Sequence, residues 1–295
     1  MELSVVLTII GITLAGAIEL ATNKTEADRV TETNARLDII EEALKVYVIN
    51  NQRLPCPANA SASLSLDIAG KEGASDATEC EMSSSTTTIG ANYTSGGIYS
   101  GAIPTKTLHI PDKNMADDWD RRFTYVVDYR FANNEADTNS DCDGTVSTIC
   151  FKYTTDGGIT INDSTGAART AVAVYTIISH GKNGYGAFNY TGGVQLDQPA
   201  APDASEVSNA ATSSGTLDAT FVQKDSTTTF DDIVRYKEKS LIISDVNGVT
   251  DSTTCFAAYD AFTTPGTLTD PCPGATSTAN CYALATQINN FCLQP

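Results

Sequence analysis

Residues 3–18 read LSVVLTIIGITLAGAI, an apolar run without a charge, followed by Glu19, Leu20, Ala21, Asn23 and Lys24. Its length approaches the roughly 20 residues that carry a helix across a bilayer. Beyond Ala21 the apolar positions thin out but keep helical phase. Ala27, Val30, Leu37, Ile40, Leu44 and Tyr47 recur at intervals of three, four and seven, with Asp38, Glu41, Glu42 and Lys45 between them. The pattern predicts one helix over 1–54, apolar over 1–21 and amphipathic over 22–54. Asn50, Asn51 and the run Pro55-Cys56-Pro57 end it, because proline lacks an N–H and disfavours helix in the residue before it. About fifty residues at ~1.5 Å each make a rod of roughly 75 Å.

A secretory signal peptide is the first alternative for the apolar run. Glu2 stands where a basic n-region belongs, and no Ala-x-Ala-like site closes the segment, so an uncleaved membrane helix is the preferred reading.

After Pro57 the pattern changes to short alternating runs. Strands are expected at 122–129, 149–153, 171–179 and 240–246, flanked by the turn signals Asp156-Gly157-Gly158, Asn183-Gly184 and Asn247-Gly248. This order predicts an α+β protein: a long N-terminal helix, then a β-rich head over 55–295 built on an antiparallel sheet. The stretches 58–97 and 198–229, rich in Ser, Thr and Ala or opened by Pro-Ala-Ala-Pro-Asp, are expected to be loops.

Charge and cysteine usage narrow the class. A net charge of −18, from 36 acidic and 18 basic residues, argues against sequence-independent nucleic-acid binding, which needs clustered Lys and Arg. The 8 cysteines, at 56, 80, 142, 150, 255, 272, 281 and 292, include no Cys-x-x-Cys pair and meet only 2 histidines. Disulfides in an oxidising compartment fit better than zinc. Proximity pairs Cys56 with Cys80 and Cys142 with Cys150. Cys255, Cys272, Cys281 and Cys292 would then form two more bridges of open connectivity, whose role is mechanical and proteolytic endurance.

The segment Glu2-Leu3-Ser4-Val5-Val6-Leu7-Thr8-Ile9-Ile10-Gly11-Ile12 resembles the start of a mature type IV pilin or type II secretion pseudopilin. Three later segments follow in the family's order. Asp118-Trp119-Asp120-Arg121-Arg122-Phe123-Thr124-Tyr125 resembles an Asp-x-Trp-Gly-x-x-aromatic-x-Tyr motif, with Asp120 in place of Gly. Ile178-Ser179-His180-Gly181-Lys182-Asn183-Gly184 resembles a Ser-x-Gly-x-Asp/Asn-Gly turn. Asp231-Asp232-Ile233 resembles the acidic loop beyond it. The family's leader and usual Phe do not stand ahead of Glu2 here, and its helix proline is absent. Gly11 and Gly16 are the points where the helix could stretch instead, since glycine costs about 1 kcal/mol against alanine in a helix.

The resemblance implies a pilin-like fold and a structural role, not an enzyme. The expected protein is a major pilin that polymerises with copies of itself into a surface filament, after residence in the inner membrane and handling by a prepilin peptidase and the assembly machinery. Glu2 would set subunit register by pairing with a neighbour's terminal amine, since an acid inside a bilayer needs a partner. Ser4, Thr8, Gly11, Thr13, Ala15, Gly16 and Ala17 are small enough for close helix packing. The alternatives are a secretion pseudopilin, or a membrane-anchored minor pilin or adhesin module.

Two acidic clusters are candidate calcium sites. Asp137, Asn139, Asp141 and Asp143 precede Gly144 like the opening of a calcium loop, although Thr148 falls where a bidentate Glu is needed and no helices flank it. Asp231 and Asp232 form the second, on the family resemblance. No other cofactor is expected. His180 reads as a turn histidine, because no nucleophile elbow, phosphate loop, dinucleotide fingerprint or His-Glu-x-x-His motif accompanies it.

Overall fold

The computed structural model describes residues 2–51, 53–73, 80, 93–95, 97–132, 156–197, 203–210 and 219–242, with backbone alone for 2–24 and 93–95. Cys142, Cys150, Cys255, Cys272, Cys281, Cys292, the Asp137–Asp143 cluster and the expected strand at 149–153 lie outside those residues, as do the side chains of Glu2, Gly11 and Gly16.

Helix α1 runs over Glu2–Asn51 without a break, ending where the Asn-Asn pair and the prolines require. Its buried face is Leu37, Ile40, Leu44, Tyr47 and Val48, at the three- and four-residue spacing of one helical stripe. The expected stripe began earlier, but Ala27 and Val30 are exposed. The loop at 116–118 holds the helix at Arg29, whose Nη1 donates to the Asp118 carbonyl at 3.1 Å, and at Thr33, whose Oγ1 accepts the Asp118 N–H at 3.2 Å. Arg36 then clasps the same loop, donating Nη1 to the carbonyls of Ala116 and Asp117 and Nη2 to Asp118 Oδ1 at 2.7 Å. Among the residues with described side chains no helix is long and apolar enough to cross a membrane; residues 3–21 precede them.

Among the described residues the sheet has seven strands: β1 Tyr93–Ser95, β2 Ile98–Ala102, β3 Thr124–Asp128, β4 Ile159–Asn162, β5 Ala168–Ser179, β6 Thr220–Val222 and β7 Ile233–Glu238. Their order is β1-β2-β3-β5-β4-β6, with β7 also pairing β5, and a one-turn helix, α2 Tyr129–Ala132, follows β3. Every pairing is antiparallel except β4 with β6, which is parallel and departs from the expected all-antiparallel sheet. Of the strand expected at 240–246, residues 240–242 are helical, the chain turning helical at 239–242 just after β7, and 243–246 lie outside the described residues.

Both faces of the sheet are covered, which is why β3 and β5 read as nearly continuous apolar runs. Tyr125, Val127, Tyr175 and Ile177 face the helix in one cluster with Leu37, Ile40 and Leu44. Val126 and Ile178 turn the other way to meet Ile98, Ile159, Ile161, Phe221 and Val234. The period-2 alternation of β3 divides its residues between the two layers.

The stretch 58–97 is pinned as its cysteine suggested. A disulfide joins Cys56 to Cys80. Beside it, Glu72 accepts from Arg53 Nη1 at 2.9 Å, from Tyr47 Oη at 3.1 Å and from the Cys56 N–H at 3.0 Å. The end of α1 is thereby tied to the loop. Stretch 198–229, read as loop, holds both β6 and a short helix α3, Ala204–Asn209.

Candidate cation site

Three chain segments meet beside the C-terminal end of β5. The first is the turn after β5, where His180, Gly181 and Asn183 lie. The second is α3, which carries Glu206 and Asn209. The third is the approach to β7, Asp231 and Asp232. Helix α3 is fixed at its start by Asp203, whose Oδ1 accepts the Ser205 N–H and the Lys224 ammonium, each at 2.8 Å. At its end Asn209 donates to the Val222 carbonyl at 2.9 Å and accepts the Val222 N–H at 2.8 Å, locking α3 onto β6.

Glu206, Asp231 and Asp232 each present one carboxylate oxygen such that the three lie within 4.8 Å of one another. Each carboxylate uses one oxygen for protein donors. Glu206 Oε1 accepts Asn183 Nδ2 at 2.7 Å and the Asp231 N–H at 3.1 Å. Asp231 Oδ2 accepts the Asn183 N–H at 3.0 Å, and Asp232 Oδ2 accepts Asn209 Nδ2 at 2.9 Å. The other oxygens, Glu206 Oε2, Asp231 Oδ1 and Asp232 Oδ1, are buried without a hydrogen-bond partner.

Burial raises the pKa of all three acids, that of Asp232 well above the usual carboxylate range, and for Asp232 the charges of Glu206 and Asp231 add to it. Three converging carboxylates out of water are stable only if protons or a cation offset their repulsion. A donor set of carboxylate oxygens suits a hard divalent cation such as calcium.

His180 lies beside the site. Its side chain is completely buried, with Nε2 2.8 Å from Thr124 Oγ1 and Nδ1 3.8 Å from Asp232 Oδ1. Burial depresses its pKa to about 4, so it stands neutral and brings no positive charge to the carboxylates. Next to it, Ser179 Oγ donates to Asp117 Oδ2 at 2.7 Å, while Asp117 Oδ1 accepts the N–H groups of Trp119 and Arg121. Burial pushes the Asp117 carboxyl up to about 6.

The sequence-expected Asp231 and Asp232 therefore converge, and the 178–184 turn supplies Asn183. Glu206 was missed, lying in a stretch whose composition read as loop. Its signal was present: Asp203-Ala204-Ser205-Glu206 has the N-cap and third-residue acid of a capping box. His180 lies in the turn as expected, yet packed inside it and not on the surface.

Comparison with known proteins returns no match: no family model fits the chain, and no curated protein or solved structure is similar to it.

Proposed function

We propose that this chain is a structural filament subunit of the type IV pilin kind, anchored in the membrane by residues 3–21 before assembly and exported as part of a surface fibre. The observation that carries the reading is α1: a single helix over Glu2–Asn51 whose later half is buried against a mainly antiparallel sheet, while residues 3–18 near its start are a charge-free apolar run. A helix apolar over its first part and docked over its second suits a subunit that exchanges lipid for neighbouring helices.

Backbone geometry supports the motif resemblance. Asp120, where the family motif has Gly, sits in the left-handed region at φ 60°, and Gly181 and Gly184 hold φ 55° and 67° in the following turn. Asp is among the few non-glycine residues that accept such a backbone. The Glu206–Asp231–Asp232 cluster acts in this reading as a calcium site that staples the three head segments together, a structural role that needs no catalysis.

Glu2 supplies the test. In cells making the full chain, Glu2→Ala should leave the protein in the membrane fraction and remove it from sheared fibres. Equal fibre yield from the variant and the unaltered chain would remove Glu2 from register-setting. Absence of fibres from the unaltered chain would overturn the filament reading and favour a secretion pseudopilin or an anchored module.

A further inference from the structure

The carboxylate cluster is enclosed at two of its acids and open at the third. Glu206 is 1% and Asp232 6% exposed, and each keeps one buried oxygen without a hydrogen-bond partner. Asp231 is half-buried, so the approach to the site lies on its side. The three carboxylates offer one oxygen each, whereas a calcium ion takes about six to eight.

Helix α1 passes on the open side. Arg29, Thr33 and Arg36 hold the loop at 116–118, and with Glu26 ahead of them they recur at intervals of three, four and three, which is one face of a helix. Glu26 is half-buried on that face, while Thr25, Ala27 and Asp28 around it are exposed. Its charge reaches the cluster: burial raises the Asp231 carboxyl most, and Glu26 adds to the rise. Among the described residues Glu26 has no ion-pair partner. Arg29, one turn on, donates to the Asp118 carbonyl.

The loop that grips the helix is rooted beside the site. Asp117 accepts the Ser179 hydroxyl at 2.7 Å, one residue before His180, and its other oxygen takes the N–H groups of Trp119 and Arg121. Helix turn and carboxylates therefore hang on one frame at the C-terminal end of β5. Like charges on that frame push the turn away from the head, and a divalent cation between them turns repulsion into attraction.

We propose that Glu26 of α1 is a fourth acid of the cation site, so that binding a hard divalent cation clamps the first docked turn of the helix onto the head. The inference rests on the cation reading of Glu206, Asp231 and Asp232 and adds a fourth chain segment to it. Removing the cation frees this turn and moves the start of the docked part of α1 to Arg29.

The test is calcium titration of the full chain in detergent, beside amide exchange over 25–32 read by mass spectrometry, for the unaltered chain, Glu26→Gln and Asp28→Asn. Asp28→Asn makes the same charge change two residues away, at an exposed position. Glu26→Gln should raise the calcium Kd about tenfold or more, with Asp28→Asn close to the unaltered chain. Calcium should slow exchange over 25–32 in the unaltered chain and in Asp28→Asn, and this protection should be lost in Glu26→Gln. Equal loss of affinity in the two variants would reduce Glu26 to its share of the net charge and overturn the proposal. Unchanged affinity and protection in Glu26→Gln would also overturn it, leaving the three-acid site intact. No calcium binding by the unaltered chain would overturn the cation reading as well.

Discussion

His180 Nδ1 stands 3.8 Å from Asp232 Oδ1 in the packed interior where β5 and β7 meet, and neither atom has a hydrogen-bond partner. Thr124 holds the opposite ring nitrogen at 2.8 Å. The imidazole is thus fixed between a strand hydroxyl and a carboxyl group, and protonating it means placing a charge where water does not reach.

Acid should unfold the head partly through this ring. The folded pKa of His180, about 4, lies below its ordinary value of about 6.5. Its contribution to stability is therefore fully present above about pH 6.5 and is lost as pH falls through 4. Urea unfolding at pH 7, 5.5 and 4 should show the unaltered chain losing about 3 kcal/mol more than His180→Gln across that window. Parallel curves would remove His180 from the acid response.

The carboxylates pull the other way. With their pKa values raised, Glu206, Asp231 and Asp232 favour the fold while protonated at low pH and weaken it as pH rises through their folded values. Calcium at about a hundredfold over its Kd should restore roughly 2.7 kcal/mol at pH 7, raising Tm by about 5–10 °C. Glu206→Gln or Asp232→Asn should abolish the shift, and it should vanish for the unaltered chain near pH 4. Identical melting in EDTA and in calcium at pH 7 would contradict a cation site.

Gly181 offers a steric check on the same geometry. A Cβ there would meet the Asp231 carbonyl oxygen at 2.5 Å and its Cγ at 2.7 Å, in a backbone at φ +55°. Gly181→Ala should cost more than the roughly 1–2 kcal/mol of left-handed strain alone and should erase the calcium-induced Tm shift. Gly166→Ala is the control, since its φ is +85° but nothing lies within 4 Å of the added methyl. Equal cost at the two positions, with the calcium shift retained, would mean that Gly181 does not shape the site.

Adjacent isoleucines on α1 should behave differently. Ile40 is fully buried, and Ile40→Ala should destabilise the head by about 2–5 kcal/mol. Ile39 is 44% exposed, and Ile39→Ala should change stability by less than about 0.5 kcal/mol. Chemical denaturation of both variants separates the buried face of the helix from its exposed one. A large folding cost for Ile39→Ala would mean that its side chain belongs to the core.

The helix, its end and its later buried face were legible because a 3.6-residue period over many turns outweighs local detail, and Pro55 marks the stop. The strands at 122–129 and 171–179 were legible as apolar runs for a related reason: a strand covered on both faces needs apolar residues throughout. The short edge strands β1 and β6 were not, since three residues leave no period to read. Strand β7, IVRYKE, was not legible because only Val234 in it is buried, so it presents no continuous apolar run. Of the cation cluster, adjacent aspartates drew notice. Glu206, distant in sequence, joins them only once α3 is folded against β6.

The most direct test of the filament account is electron microscopy of fibres sheared from cells that make this chain, with mass spectrometry of the fibre protein. The account predicts fibres whose principal component is this chain, with the segment 3–21 retained in its subunit and the Cys56–Cys80 bridge intact. Abundant chain in the membrane with no fibres, or fibres from which it is absent, would contradict it.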